Sequence, residues 1–155
     1  MSNQGDNKAN ILIVDDEAEI SKLISDLLSD RYSCYTAESI FDGIALMSRE
    51  KFNVVFCDLN LRDGSGLEFL YKAKKKQPSI AVIVMSGLPT KESMTASVRL
   101  GAIDYIAKPF ALDRIELAVE QALQIDGRLF QETKDEIQLD TFIHNYINKQ
   151  TSPLT

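Results

Sequence analysis

The sequence predicts an α/β protein with a parallel sheet covered by helices on both faces, a three-layer sandwich. Three observations carry that expectation. Short apolar runs rich in Val and Ile alternate with longer segments whose apolar residues recur every three or four positions, and the alternation repeats five times. The runs are apolar on consecutive rather than alternate residues, as strands buried on both faces are. Strands joined by helices of this length must run parallel, with right-handed crossovers.

The first run, Ile11-Leu12-Ile13-Val14, stops abruptly at Asp15-Asp16-Glu17. A helix from about Glu17 to Ser29 follows, with Ile20, Leu23, Ile24, Leu27 and Leu28 on one face. Tyr32 to Ala37 is a weak strand, and Ser39 to Glu50 a helix with Ile40, Ile44 and Met47 turned inward. Asn53 to Cys57 is a third strand ending at Asp58, and Asp63-Gly64-Ser65-Gly66 reads as a loop before a helix carrying Leu67, Phe69, Leu70 and Ala73. Ile80 to Met85 is a fourth strand ending at Ser86-Gly87. The helix after it, about Thr90 to Leu100, is the least apolar and is expected to be mobile, with Gly101 placed to cap it. Tyr105-Ile106-Ala107 is a short fifth strand, followed by Lys108-Pro109 and a helix from about Leu112 to Ile125 with Ile115, Leu117, Val119 and Leu123.

Ligands of open parallel sheets bind at the carboxyl ends of the strands. Those ends carry Asp15 and Asp16, Asp58, Ser86 and Lys108. Two carboxylates about 4 Å apart repel by roughly 4 kcal/mol at an effective dielectric near 20, so three at one sheet edge require a cation or a raised pKa. Oxygen donors that leave positions for water and phosphate suit Mg²⁺. Lys108 adds positive charge for phosphoryl oxygens and Ser86 a hydroxyl. Asp58, alone at its strand end, is the natural nucleophile.

The chain resembles the receiver domains of bacterial response regulators over about Asn10 to Ile125. The residues that carry the likeness are Val14-Asp15-Asp16-Glu17, Asp58-Leu59-Asn60-Leu61 with Gly66 eight residues after Asp58, Met85-Ser86-Gly87, and Asp104-Tyr105-Ile106-Ala107-Lys108-Pro109-Phe110. The resemblance implies a flavodoxin-like (βα)5 fold with strand order 2-1-3-4-5. It also implies roles. Asp58 accepts a phosphoryl group from a histidine kinase or phosphotransfer protein. Asp16 binds Mg²⁺ directly, Asp15 mainly through water, and Asp58 and the backbone carbonyl of Asn60 complete the protein ligands. Lys108 pairs with a phosphoryl oxygen, and Ser86 moves to bond another. Tyr105 rotates inward as Ser86 leaves its path, changing the face made by the fourth helix, fifth strand and fifth helix, through which a downstream protein or a second copy docks. A cis Lys108–Pro109 peptide is implied too. Two positions depart from the common pattern: Arg62 stands where many relatives have proline, and Ser86 replaces the commoner threonine.

Composition bounds the alternatives. Net charge −6 in 155 residues argues against direct nucleic-acid binding. Met1 to Asn10 lacks the apolar core of a signal peptide, and no apolar run is long enough for a membrane span, so a cytoplasmic protein is expected. Cys34 and Cys57, both in runs read as buried strands, are expected to be free thiols. A phosphohydrolase using an aspartyl-phosphate would want an acid two residues after the nucleophile, where Asn60 stands, so the chain is expected to catalyse only its own phosphorylation and dephosphorylation. A flavin or nucleotide module would want a Gly- or Ser/Thr-rich loop after the first strand, where Asp15-Asp16-Glu17 would repel phosphate. The domain reading is a flexible stretch over 1–9, the receiver over 10–126, and an amphipathic helical extension over 127–155 that could pack on the receiver, pair with another chain or bind a partner. Within that extension, His144 is read as a packing or surface residue. The run Lys72, Lys74, Lys75, Lys76 is read as a solvated helix face.

Overall fold

A computed structural model describes residues 8–124. The expected C-terminal extension with His144, and most of the expected flexible N-terminus, lie outside the described residues. The elements in chain order are β1 (Asn10–Val14), α1 (Ala18–Leu28), β2 (Ser33–Ala37), α2 (Ile40–Arg49), β3 (Val54–Asp58), β4 (Asn60–Leu61), β5 (Gly64–Ser65), α3 (Gly66–Lys76), β6 (Ala81–Ser86), α4 (Lys91–Arg99), β7 (Asp104–Ala107) and α5 (Leu112–Gln124). The main sheet has the order β2-β1-β3-β6-β7, every pair parallel. This is the expected 2-1-3-4-5 order, with β6 and β7 as the fourth and fifth strands. The loop expected after Asp58 is instead a small antiparallel hairpin, β4–β5.

Alternation along the strands divides the core between the two sheet faces. Ile11, Ile13, Val54, Phe56, Ile83, Met85 and Ile106 pack against Ile24 and Leu28 of α1 and Ile115, Ala118 and Val119 of α5. Leu12, Val14, Val55, Cys57, Val82 and Val84 pack against Ile40 and Met47 of α2, Phe69, Leu70 and Ala73 of α3, and Met94 of α4. Each large side chain fully buried in this way contributes about 1.5–3 kcal/mol.

Three expectations need correction. Leu23, read in the apolar face of α1, and Leu117 and Leu123, read in the helical pattern of α5, are exposed, because the buried stripes run through Ser21, Ile24 and Leu28 and through Ile115, Ala118, Val119 and Ala122. Cys34 is only half-buried, because β2 is an edge strand with a largely uncovered surface, whereas Cys57 in β3 is fully buried. Both thiols are free, as expected. Lys74 does not sit on a solvated face: its Nζ donates to the Ile80 carbonyl at 2.9 Å, and its stem covers Gly101. Gly101 has φ +103°, the left-handed conformation that suits glycine after a helix.

Candidate functional site: an acidic cluster at the strand ends

The parallel sheet brings the ends of β1, β3, β6 and β7 to one edge. Asp15 follows β1 directly. Its N–H donates to the Ala37 carbonyl at 3.0 Å, its own carbonyl accepts from Ser21 Oγ at 3.3 Å, and its Oδ1 accepts from the Glu17 N–H at 2.9 Å. The residue is completely buried. Asp58 is the last residue of β3, opposite Met85 of β6, and is 4% exposed. Its Oδ1 accepts from the Asn60 N–H at 3.3 Å, which gives the residue after next a direct hold on the carboxylate.

Lys108 follows β7, and its backbone N–H donates to Ser86 at 2.8 Å. Its Nζ reaches Asp15 Oδ2 at 2.8 Å, Glu17 Oε1 at 3.0 Å and Asp58 Oδ2 at 3.2 Å. One ammonium thus bridges three carboxylates from two parts of the chain. The Lys108–Pro109 peptide is cis, as the resemblance implies.

The electrostatics follow from this crowding. Burial pushes the Asp58 carboxyl up from its ordinary pKa, and the Asp15 charge pushes it further, while Lys108 and the Asn60 N–H pull the other way without prevailing. Burial works against the charge on Lys108, but its hydrogen bonds to Asp15 and Glu17 and the charges of Asp15 and Asp58 outweigh that, so it is held protonated beyond its ordinary range. Carboxylate oxygens of Asp15, Asp16 and Asp58 lie within 4.8 Å of one another. Even at the full 4.8 Å each like-charged pair repels by about 3.5 kcal/mol at an effective dielectric near 20.

These residues fit a hard divalent cation. The donors are all oxygens, and among the described residues no hydrogen bond engages the Asp16 carboxylate. Burial first and the Asp15 charge second push Asp58 toward its neutral form, and a shared metal would offset the repulsion between the two carboxylates.

Ser86 lies one position beyond Met85, beside Asp58, and is 2% exposed. Its hydroxyl accepts from the Leu88 N–H at 3.1 Å. Tyr105 is inside the fold rather than on its surface, 3% exposed, with its hydroxyl 2.6 Å from Ser93 Oγ in α4. The structure therefore brings together Asp15, Asp16, Asp58 and Lys108, places Asn60 and Ser86 beside them, and sets the Tyr105 hydroxyl against Ser93 of α4.

Gly66 has a steric reason to be glycine. A Cβ there would lie 2.2 Å from the Asp58 carbonyl oxygen and 2.8 Å from Leu59 Cα. Its N–H closes the hairpin onto the Leu59 carbonyl at 2.8 Å.

Sequence reasoning missed two partners. Glu17 belongs to the acidic run, but its hold on Lys108 spans 91 residues and leaves no local signal. Ser93 is the third residue of α4. Its side chain accepts from the Thr90 N–H at 3.3 Å while Thr90 Oγ1 accepts from the Ser93 N–H at 3.0 Å, a reciprocal cap whose three-residue spacing was visible.

The family model for the response regulator receiver domain matches residues 11–120. The nitrogen assimilation regulatory protein NtrX of Azorhizobium caulinodans is 38% identical over 117 residues, which cover 74% of this chain and 26% of that protein. The chain spans about a quarter of the length of such curated relatives. Among solved structures, the receiver domain of NtrX from Brucella abortus superposes with a TM-score of 0.71 at 35% identity, covering 75% of this chain and 99% of that one. A CheY-like response regulator receiver domain protein from Methanospirillum hungatei gives 0.73 at 30% identity, covering 76% and 94%. With the sheet order in agreement, this chain belongs to the response regulator receiver domain family of two-component signalling.

Proposed function

We propose that this chain accepts a phosphoryl group on Asp58 from the phosphohistidine of a sensor kinase or phosphotransfer protein, and thereby switches a protein-interaction surface. The observation that carries the reading is the convergence of Asp15, Asp58 and Lys108 at one sheet edge, with Asp16 beside them. A carboxylate oxygen of Asp58 attacks phosphorus, forming the P–O bond as the P–N bond to the donor imidazole breaks. Lys108, already oriented by Asp15 and Glu17, neutralises charge on the phosphoryl oxygens, and Ser86 offers its hydroxyl to another. Asp15, Asp16, Asp58 and the backbone carbonyl of Asn60 are the groups to hold Mg²⁺, which when bound supplies charge neutralisation for the acidic cluster and the phosphoryl group.

Turnover is confined to the chain's own phosphorylation and dephosphorylation, since Asn60 supplies no acid beside Asp58 for external substrates. Output runs through the α4–β7–α5 face, where Tyr105 is tied to α4, toward a downstream protein or a second copy. Several relatives are named as transcriptional regulators, and this chain corresponds to a fraction of each. Its own net charge of −6 supports protein rather than nucleic-acid partners. Among the described residues no helix is long and apolar enough to cross a membrane, which is consistent with a cytoplasmic location.

The test is the intact mass after incubation with Mg²⁺ and a small-molecule phosphodonor, with metal-free and Asp58→Asn samples alongside. One Mg²⁺-dependent phosphoryl adduct on the wild type alone is expected. An adduct of equal yield on Asp58→Asn would overturn the assignment.

A further inference from the structure

We propose that Asp63 is a positioning residue, whose carboxylate clamps the β4–β5 hairpin to the N-terminus of α2 and so keeps Asn60 against Asp58 at the metal-binding end of the site. The inference rests on the phosphoryl-acceptor reading for its functional consequence, but its structural part stands separately.

The hairpin has two residues in each strand, too few to hold its own position. Its second strand opens on Gly64 at φ +150°, a backbone conformation with no side chain to brace it. Something outside must fix it, and Asp63 at its tip does so. Asp63 Oδ1 accepts from the Ile40 N–H at 2.9 Å and Oδ2 from the Phe41 N–H at 3.1 Å. These are the first two amides of α2, which have no partner within the helix and carry the positive end of its dipole. The same bonds, that from Ile40 foremost, hold the Asp63 carboxyl below the usual carboxylate range. A second strut, Arg62 to Glu38 at 3.1 Å, runs between the same two regions, but both side chains are more than half exposed and it adds little alone.

Helix α2 does not depend on Asp63 for its cap. Ser39 occupies the N-cap position and its hydroxyl accepts from the Asp42 N–H at 3.0 Å. The bonds of Asp63 are therefore long-range ties between α2 and the hairpin, 23 and 22 residues apart in sequence. At the other end of the hairpin, the Asn60 N–H is bonded to Asp58 Oδ1. Anything that lets the tip move also loosens the residue that orients the proposed acceptor and lends its carbonyl to the metal.

Ser39 supplies the control, because Ser39→Ala weakens the same helix terminus without touching the hairpin. In the metal-free protein, amide hydrogen exchange over residues 59–65 is expected to accelerate in Asp63→Ala and to stay at the wild-type rate in Ser39→Ala. Calorimetric Mg²⁺ titration is expected to show about a 10-fold weaker Kd for Asp63→Ala, the wild-type Kd for Ser39→Ala, and an intermediate value for Asp63→Asn, which keeps one acceptor oxygen. Unchanged exchange in Asp63→Ala overturns the clamp. Altered exchange with an unchanged Kd, or an equal Kd loss in Ser39→Ala, overturns its role at the site. A wild type that binds no Mg²⁺ would overturn both the acceptor reading and the functional half of this one, leaving exchange to decide the clamp.

Discussion

Replacing Gly66 by alanine probes how tightly the strand that ends at the proposed acceptor, Asp58, is packed. The added Cβ would sit 2.2 Å from the Asp58 carbonyl oxygen, 2.9 Å from its carbonyl carbon and 2.8 Å from Leu59 Cα. All three are backbone atoms, so no side chain can swing away. Cβ contacts below 3.0 Å are essentially never tolerated, so the Asp58–Leu59 peptide or the start of α3 must move by about 0.8 Å. Overpacking of this kind costs about 1–3 kcal/mol. Because Asp58 meets Lys108 and Asn60 at 3.2 and 3.3 Å, a shift of this size also displaces the proposed nucleophile, and a misplacement near 1 Å costs roughly 100-fold in rate. Urea denaturation reads the first effect, and the initial rate of adduct formation by intact mass reads the second. Gly87→Ala is the matched control, since a Cβ there meets nothing within 4 Å and no loss of stability is expected. Wild-type stability and rate in Gly66→Ala, or an equal loss of stability in Gly87→Ala, would refute the reasoning.

Other expectations follow from the same geometry. Asp58 has a raised folded pKa, so the folded state holds its proton more tightly than the unfolded state. The fold then loses stability as pH rises from the ordinary value of 3.8 through the raised one. Metal-free Asp58→Asn should escape that loss, and denaturation curves across this window should show its advantage over wild type growing toward neutral pH. Lys108→Met leaves Asp15 and Asp58 buried without their cation, and should cost about 3–5 kcal/mol at pH 7 without metal. Because Lys108 has a raised pKa, its contribution is present throughout the neutral range and is lost only in strong alkali. Mg²⁺ at about 100 times its Kd should stabilise the wild type by about 2.7 kcal/mol. Asp16→Ala should abolish that increment and, by relieving its repulsion with Asp15 and Asp58, should raise rather than lower metal-free stability.

The sheet and its functional edge were legible because their signals are local. Ile11 to Val14 and Asn53 to Cys57 are continuous apolar runs, and each meets an acid where its strand leaves the core. Spacing of Ile24 and Leu28, or of Phe69, Leu70 and Ala73, reports the buried face of a helix directly. The β4–β5 hairpin was not legible, since two-residue strands leave no periodicity and Asp63-Gly64-Ser65-Gly66 spells only a turn. Lys74 looked solvated beside three other lysines, yet its stem is long enough to cover Gly101 and deliver its ammonium to a carbonyl. Cys34 shows the converse error: its neighbours read as a strand, but an edge strand is covered less completely than a central one. Glu17, Asp63 and Ser93 escaped notice because each makes its decisive contact with a residue 12 or more positions away.

The central claim is that one side chain, Asp58, carries the phosphoryl group. Borohydride reduces an aspartyl phosphate to homoserine, so peptide mass mapping of the phosphorylated, reduced protein locates the acceptor directly. Homoserine at position 58, formed only when Mg²⁺ and phosphodonor were both present, is the predicted result. Homoserine at Asp15, Asp16 or any other acid, with Asp58 intact, would contradict the account.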